Sequence, residues 1–360
     1  MKAVGVFPGS REVRIIEHEE PRIAAPGEVK LRMLEVGVCG TDRDLCDFQF
    51  GSSPPGCDHF VLGHESLAEV VETAPGVKSV SPGDLVVAVV RKPCAAPGCE
   101  ACRAGRQDFC ASGHYRERGI RDLHGFMTGY VVEDEQYVYP VPRELRAVAV
   151  LVEPLTIAEK AYKEFEAIAR RLPWAPKERT AVILGAGPVG ILGAMLFFNA
   201  GFRTWVYSRS RAPNPKAEIV LALGAQYVSS LEETPAQLAA RAGNIDVIYE
   251  AMGAPQAAFD VLPFLGANGV YVFTGVPEPR EVLSLDLHRQ LLHMILKNQV
   301  VMGTVNAGPD AFDAAIRDLA VFHRRWPGLL EKMITGRFPI DAYREAIFGK
   351  AVIKNVIELS

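Results

Sequence analysis

Ala181-Val182-Ile183-Leu184-Gly185-Ala186-Gly187-Pro188-Val189-Gly190 is the stretch that decides the fold of this 360-residue chain. A short apolar strand, Thr180–Leu184, runs into a glycine-rich turn, and a helical pattern opens at Pro188. Gly185 permits the tight turn, Gly187 lets backbone approach a pyrophosphate, and Gly190 lets helix and strand pack closely. The free N–H groups and dipole of the helix start then favour an anion, so Gly185, Gly187, Pro188, Val189 and Gly190 are expected to bind a dinucleotide.

Working outward, strands and helices alternate: Thr204–Tyr207, Lys216–Leu223, Val247–Ala251 and Gly269–Phe273 follow the helix Pro188–Asn199. Alternation of this kind implies an α/β domain with a doubly wound parallel sheet. Ala158–Arg170 is a helix by its apolar spacing. Residues 1 to about 150 differ, with short strands such as Val29–Val36, Ala68–Glu72, Leu85–Val90 and Tyr130–Val132 broken by Pro-Gly joints, which suggests a β-rich domain. The tail adds a helix, Asp310–Phe322, and a last strand, Val352–Leu359. No internal repeat or low-complexity segment is present.

The strand Thr204–Tyr207 is expected to end at the adenosine ribose, where an NAD site carries an acid about 20 residues after the first glycine. This chain has Ser208-Arg209-Ser210-Arg211 instead. Guanidinium groups match phosphate oxygens, so the reading is NADP, with NAD as second choice. The alternative is that Arg209 and Arg211 only face solvent.

Cys94, Cys99, Cys102 and Cys110 fall in one run, CAAPGCEACRAGRQDFC. Four thiolates at this spacing close a tetrahedral shell around one zinc ion, which staples a loop and leaves no position for chemistry. A disulfide pair or four independent thiols is the alternative. Cys39 and His64 are a second pair of good zinc ligands, and two such ligands leave positions open for carboxylate, water or substrate. Cys46, Cys57 and His59 carry no assigned role; a buried free thiol is the plain reading of the two cysteines.

Hydrophobic residues make up 49% and charged residues 23%, with a net charge of −4, so nothing pulls the chain generally toward nucleic acid or anionic membrane. Seven cysteines cannot all pair, which fits a reducing compartment. The opening MKAVGVFPGS reads as strand and turn, and the apolar helical stretch Ile191–Phe202 is too short to span a bilayer. The expectation is a soluble, cytoplasmic protein without nucleic-acid or membrane partners.

Gly37-Val38-Cys39-Gly40-Thr41-Asp42, Gly63-His64-Glu65, the four-cysteine loop, Glu153-Pro154-Leu155 and the glycine turn, in this order, resemble the zinc-dependent medium-chain alcohol dehydrogenases. Ser112 to Ile120, His124 to Met127 and Val305-Asn306 look like the glucose dehydrogenase branch. The resemblance implies a GroES-like β-rich catalytic domain, residues 1–152 and 305–360 with a structural-zinc loop at 91–110, and a Rossmann nucleotide domain at 153–304. It implies a catalytic zinc on Cys39 and His64, with Glu65 and Glu153 as candidates for the remaining coordination, directly or through water. For Glu65 a hydrogen bond or salt bridge beside the metal ligands is the alternative. Thr41 would hydrogen-bond the reacting alcohol and pass its proton outward, unless it caps the helix that starts near Asp42. Asp44 would be an outer relay group or a dipole stabiliser.

Asn306 resembles a residue that contacts sugar hydroxyls or the nicotinamide end. His114 stands where some members carry a sugar-binding Glu, a departure that bears on which sugar is preferred, because imidazole cannot accept two hydroxyl protons. The implied activity is oxidation of an aldose, D-glucose and in addition D-galactose or xylose, at C1 to the aldonolactone by hydride transfer to NADP or NAD. The alternative is another polyol, secondary alcohol or amino-alcohol dehydrogenase. The implied assembly is a homotetramer, with the strand Gly269–Phe273 and its neighbours as candidates for pairing across subunits. A zinc ribbon that binds nucleic acid would need a basic stripe, which an acidic chain does not suggest.

Overall fold

The computed structural model describes residues 1–174, 176–277 and 282–359. Two compact units emerge, Met1–Thr156 with Asn306–Ser360, and Ile157–Val305.

The first unit is built on a seven-stranded sheet. Its order is Val138–Pro140, Leu85–Ala88, Glu65–Thr73, Glu28–Gly37, Lys354–Glu358, Ile334–Pro339, with Tyr130–Asp134 also paired to Glu28–Gly37. Glu28–Gly37 is the hub, and its buried residues Val29, Leu31, Met33 and Val36 feed a core completed by Phe60, Leu62, Phe126 and Ile357. Register matters more than shape here. Gly37 sits opposite Glu65 on one side and Val356 on the other. The end of the hub strand therefore brings together the turn carrying Cys39, the pair His64-Glu65 and the start of the final strand at Lys354.

The second unit is a six-stranded sheet in the order Gln226–Ser229, Arg203–Ser208, Thr180–Leu184, Val247–Glu250, Val270–Phe273, Val300–Gly303. Every pairing is parallel. Thr180–Leu184 is buried throughout, as a central parallel strand covered on both faces must be. The strand read at Gly269–Phe273 has neighbours on both sides, so it has no free edge to offer another subunit; its neighbour Val300–Gly303 is the edge strand on that side, and Gln226–Ser229 is the edge on the other. The helix read from Ala158 begins at Val152, because Pro154 is tolerated in a first helical turn where its missing N–H is not needed. Among the described residues no helix is long and apolar enough to cross a membrane.

Candidate active site and cofactor site

Cys39 is the N-cap of the short helix Gly40–Cys46, and the Asp42 carboxylate accepts the Cys39 N–H at 2.8 Å. Thr41 thus lies inside the first turn and is not the cap; its hydroxyl makes no hydrogen bond among the described residues. His64 and Glu65 are both buried. The sulfur, imidazole and carboxylate ligand atoms of Cys39, His64 and Glu65 lie within 4.8 Å of one another. Asp42 Oδ1 stands 3.5 Å from His64 Nδ1, the arrangement in which a carboxylate orients a metal-binding imidazole.

Glu65 approaches the hub strand so closely that a Cβ at position 37 would overlap its Oε2, so any larger residue there would have to displace that carboxylate. Lys354, itself buried, pairs with Glu65 Oε2 and donates to the Val38 carbonyl at 3.0 Å. This lysine was missed in the sequence, where nothing local distinguishes it from any lysine of a strand. Asp42 was missed too, although an acid three residues after a helix cap is a recognisable capping signal.

The pocket is electrically biased toward a cation. Burial opposes a charge on His64, yet Asp42 and Cys39 beside it hold its pKa well above the ordinary value. Glu153, in the first turn of the helix Val152–Ala169, has its carboxyl pushed up to about 7, first by burial and then by Glu65 and Asp42 against the pull of His64 and Lys354. Glu153 therefore feels the cluster electrostatically but is not among the three groups whose ligand atoms converge. Among the described residues Asp42 Oδ1, His64 Nδ1 and Glu65 Oε2 are buried without a hydrogen bond, although the first two face each other at 3.5 Å and Lys354 holds an ion pair with the last. A thiolate, an imidazole and a carboxylate whose ligand atoms converge in this way fit a divalent zinc ion.

Two further sequence candidates occupy defined places. Asn306 takes a left-handed backbone (φ 59°), donates from Nδ2 to Glu117 at 2.7 Å and accepts the Ala307 N–H, so its amide is held by the protein on both ends. Glu117 also receives Arg91 Nε at 3.0 Å, and the Arg91 guanidinium lies 3.7 Å from the Tyr115 ring centre. His114 is exposed, with its N–H on Ser112 Oγ at 3.2 Å.

The ligand sulfurs of Cys94, Cys99, Cys102 and Cys110 also gather within 4.8 Å of one another, and none is in a disulfide. Cys99 and Cys110 sulfurs are 3.9 Å apart. Zinc–sulfur bonds of about 2.3 Å put tetrahedral sulfurs about 3.8 Å apart, so the loop already has the dimensions of a four-thiolate shell.

In the second unit, Gly185 takes a φ of 101° and a Cβ on Gly190 would overlap the Gly185 carbonyl. Gly187 caps the helix Pro188–Asn199 with open space around it, and Pro188 and Val189 keep partial exposure, which leaves the helix start accessible to a ligand. Glu250, buried at the end of its strand, accepts the Met252, Gly253 and Gly275 N–H groups at 2.8–3.0 Å and so ties down two neighbouring loops. Ser208 ends the strand Arg203–Ser208, and Arg209 and Arg211 follow it exposed. Arg211 lies 4.0 Å from Glu232, both exposed.

These geometries agree with comparisons to known proteins. Residues 146–359 match the family described as glucose dehydrogenase C-terminus, and residues 25–143 match the alcohol dehydrogenase GroES-like domain. A glucose 1-dehydrogenase of Methanocella arvoryzae is 38% identical over 362 residues, covering 100% of this chain and 99% of the relative. One from Thermoproteus tenax is 39% identical over 350 residues, covering 96% and 95%. The solved structure of Haloferax mediterranei glucose dehydrogenase in complex with NADP, Zn and gluconolactone superposes with a TM-score of 0.89 at 33% identity, covering 100% of this chain and 99% of that one. The chain therefore belongs to the zinc-dependent medium-chain alcohol dehydrogenases, a family of NAD(P)-dependent oxidoreductases acting on CH–OH groups, in its glucose dehydrogenase branch.

Proposed function

We propose that this chain oxidises D-glucose at C1 to gluconolactone and passes the hydride to NADP, with one zinc in the Cys39–His64–Glu65 cluster and a second in the four-cysteine loop. The observation that carries the reading is the convergence of a thiolate, an imidazole and a carboxylate within 4.8 Å at the end of the hub strand. The Haloferax relative, whose structure is described with NADP, Zn and gluconolactone, supports it.

When bound, zinc supplies Lewis-acid polarisation of the sugar hydroxyl and NADP accepts the hydride. The residues of this chain do the rest. Cys39, His64 and Glu65 hold the metal, with Glu153 as an alternative carboxylate. Asp42 orients the His64 ring, and Lys354 restrains Glu65. Thr41, whose hydroxyl makes no hydrogen bond among the described residues, takes the sugar hydroxyl proton toward solvent. Asn306 and His114 line the sugar side. Gly185, Gly187, Pro188, Val189 and Gly190 hold the pyrophosphate, and Ser208, Arg209 and Arg211 face the 2′-phosphate. The exposed His114 imidazole accepts one hydroxyl proton where a carboxylate accepts two, so we extend the proposal to D-galactose or xylose beside glucose.

Assembly belongs to the same proposal. The helix Leu287–Leu296 exposes Leu287, Leu291, Leu292, Ile295 and Leu296 just before the open edge strand Val300–Gly303. A second copy of the chain would cover both, giving a homo-oligomer, tetrameric by family resemblance. Light scattering is expected to show the oligomer, and a monomer would remove this part of the proposal.

Initial rates with glucose, galactose, xylose, sorbitol, threonine and simple alcohols, each with NADP and NAD, test the function. Highest kcat/KM for an aldose with NADP is expected. A polyol, threonine or simple alcohol ahead of every aldose would overturn it.

A further inference from the structure

The order of strands in the parallel sheet reverses between Thr180–Leu184 and Val247–Glu250. From the first the chain works outward to Gln226–Ser229, and from the second to Val300–Gly303. A dinucleotide lies across the carboxyl ends of the strands at such a switch point. With the adenosine end read at Ser208, the nicotinamide half falls over the ends of Val247–Glu250 and Val270–Phe273. Two loops leave those ends, 251–254 and 274–277.

One carboxylate joins the two loops. Glu250, 1% exposed, accepts the Met252 and Gly253 N–H groups through Oε1 at 2.9 and 2.8 Å, and the Gly275 N–H through Oε2 at 3.0 Å. The loops meet backbone on backbone. A Cβ on Gly253, where φ is 62°, would press on the Val276 carbonyl, and one on Gly275 would overlap the Gly253 nitrogen. The first loop in turn abuts the glycine turn: a Cβ on Gly185 would meet the Met252 Cβ at 3.1 Å and the Ala251 carbonyl at 3.2 Å. Among the described residues no cation pairs with Glu250. Burying a carboxylate without a counter-ion is costly, and three N–H donors offset the lost water. An apolar side chain would fill this space without that cost, so the charge is explained by the two loops it holds.

We propose that Glu250 is a positioning residue for hydride transfer. Its carboxylate locks loops 251–254 and 274–277 to each other and against the glycine turn, and the locked pair fixes the orientation of the nicotinamide ring. Glu250 does not touch the cofactor. It acts through the backbone of the loops, as a reacting group held to a fraction of an ångström requires support from residues behind it. The inference rests on the reading that this chain oxidises glucose with NADP.

The test compares full-length, zinc-loaded wild type with Glu250→Gln. Glutamine keeps the volume, but one oxygen becomes an NH2 group. With its remaining oxygen on Met252 and Gly253, it sets a donor against the Gly275 N–H, so the lock between the loops opens. The measurements are kcat for glucose with NADP, the isotope effect on kcat with glucose deuterated at C1, and the dissociation constant of 2′-phospho-ADP-ribose. That fragment carries the adenosine half and the pyrophosphate without nicotinamide. A misplaced ring is expected to lower kcat about tenfold. The isotope effect should be at least as large as in wild type, and the fragment should bind within about twofold of wild type. If wild type does not oxidise glucose with NADP, the proposed function fails and this inference fails with it. If wild type is active and Glu250→Gln keeps its kcat within about twofold, the inference alone is overturned. A lower kcat with a smaller isotope effect also overturns it, since the slowed step would not be hydride transfer. So does weakened binding of the fragment, because Glu250 would then serve the fold of the whole unit.

Discussion

Three imidazoles from distant parts of the first unit pack against one another. His18 and His124 rings are 4.9 Å apart, His59 and His124 5.4 Å, and His18 and His59 6.2 Å. His124 Nδ1 accepts the Val61 N–H at 3.1 Å, which requires the neutral ring with its proton on Nε2, near Cys57. Burial first, then His18, His59 and Arg118, push the His124 pKa down to about 4. His18 is lowered for related reasons, burial and the His59 charge. The sign follows directly. The unfolded chain takes up a proton near 6.5 and the folded chain only near 4, so stability is lost as pH falls through this window and levels off below it. At 1.36 kcal/mol per pKa unit the full gap corresponds to about 3.4 kcal/mol. The ring keeps contact with solvent, and screening reduces this to about 1–2 kcal/mol. For a unit of this size that is about 3–6 °C in thermal midpoint.

The perturbation is His124→Asn, whose side-chain oxygen can still accept the Val61 N–H but which does not titrate. Thermal midpoints of both proteins from pH 7.5 to 4 are compared, so that acid effects common to both cancel. Wild type should lose about 3–6 °C more than His124→Asn over this range. A difference between the two proteins that stays constant with pH would refute the reasoning.

Gly37→Ala should place its methyl against Glu65 and displace that carboxylate, costing about 1–3 kcal/mol in overpacking. Zinc content and sugar oxidation should fall together, while NADP binding persists; a fully metallated, active variant would contradict the packing at this strand end. Lys354→Met leaves a buried carboxylate unpaired, at a cost of about 3–5 kcal/mol in metal-free protein, read by denaturant midpoint. Added zinc should restore part of that loss, and no loss at all would show that the pair contributes nothing. Cys102→Ser should lower zinc by one ion per chain and the thermal midpoint by at least about 4 °C, the effect of roughly 1–2 kcal/mol, with no change in zinc count sinking the four-thiolate reading.

What was legible in the sequence was what lies close along the chain. The strand, turn and helix around Gly185–Gly190 have the read bounds because turn geometry, helix cap and close packing are all written in neighbouring residues. The four cysteines and the Cys39 and His64 motifs were legible for the same reason. Lys354 was not, because it reaches Val38 across 316 positions of sequence and only the sheet register brings them together. His18, His59 and His124 carry no common spacing; strand pairing alone assembles them. The helix read from Ala158 began six residues late because Pro154 looks like a helix breaker, whereas in a first turn it is compatible with the helix.

Zinc counted per chain in wild type and Cys39→Ala, beside their rates of NADP reduction by glucose, tests the central claim most directly. The account predicts two ions and turnover in wild type, and one ion, retained NADP binding and no turnover in Cys39→Ala. An active wild-type preparation carrying a single ion confined to the four-cysteine loop, or a Cys39→Ala protein with full activity, would contradict it.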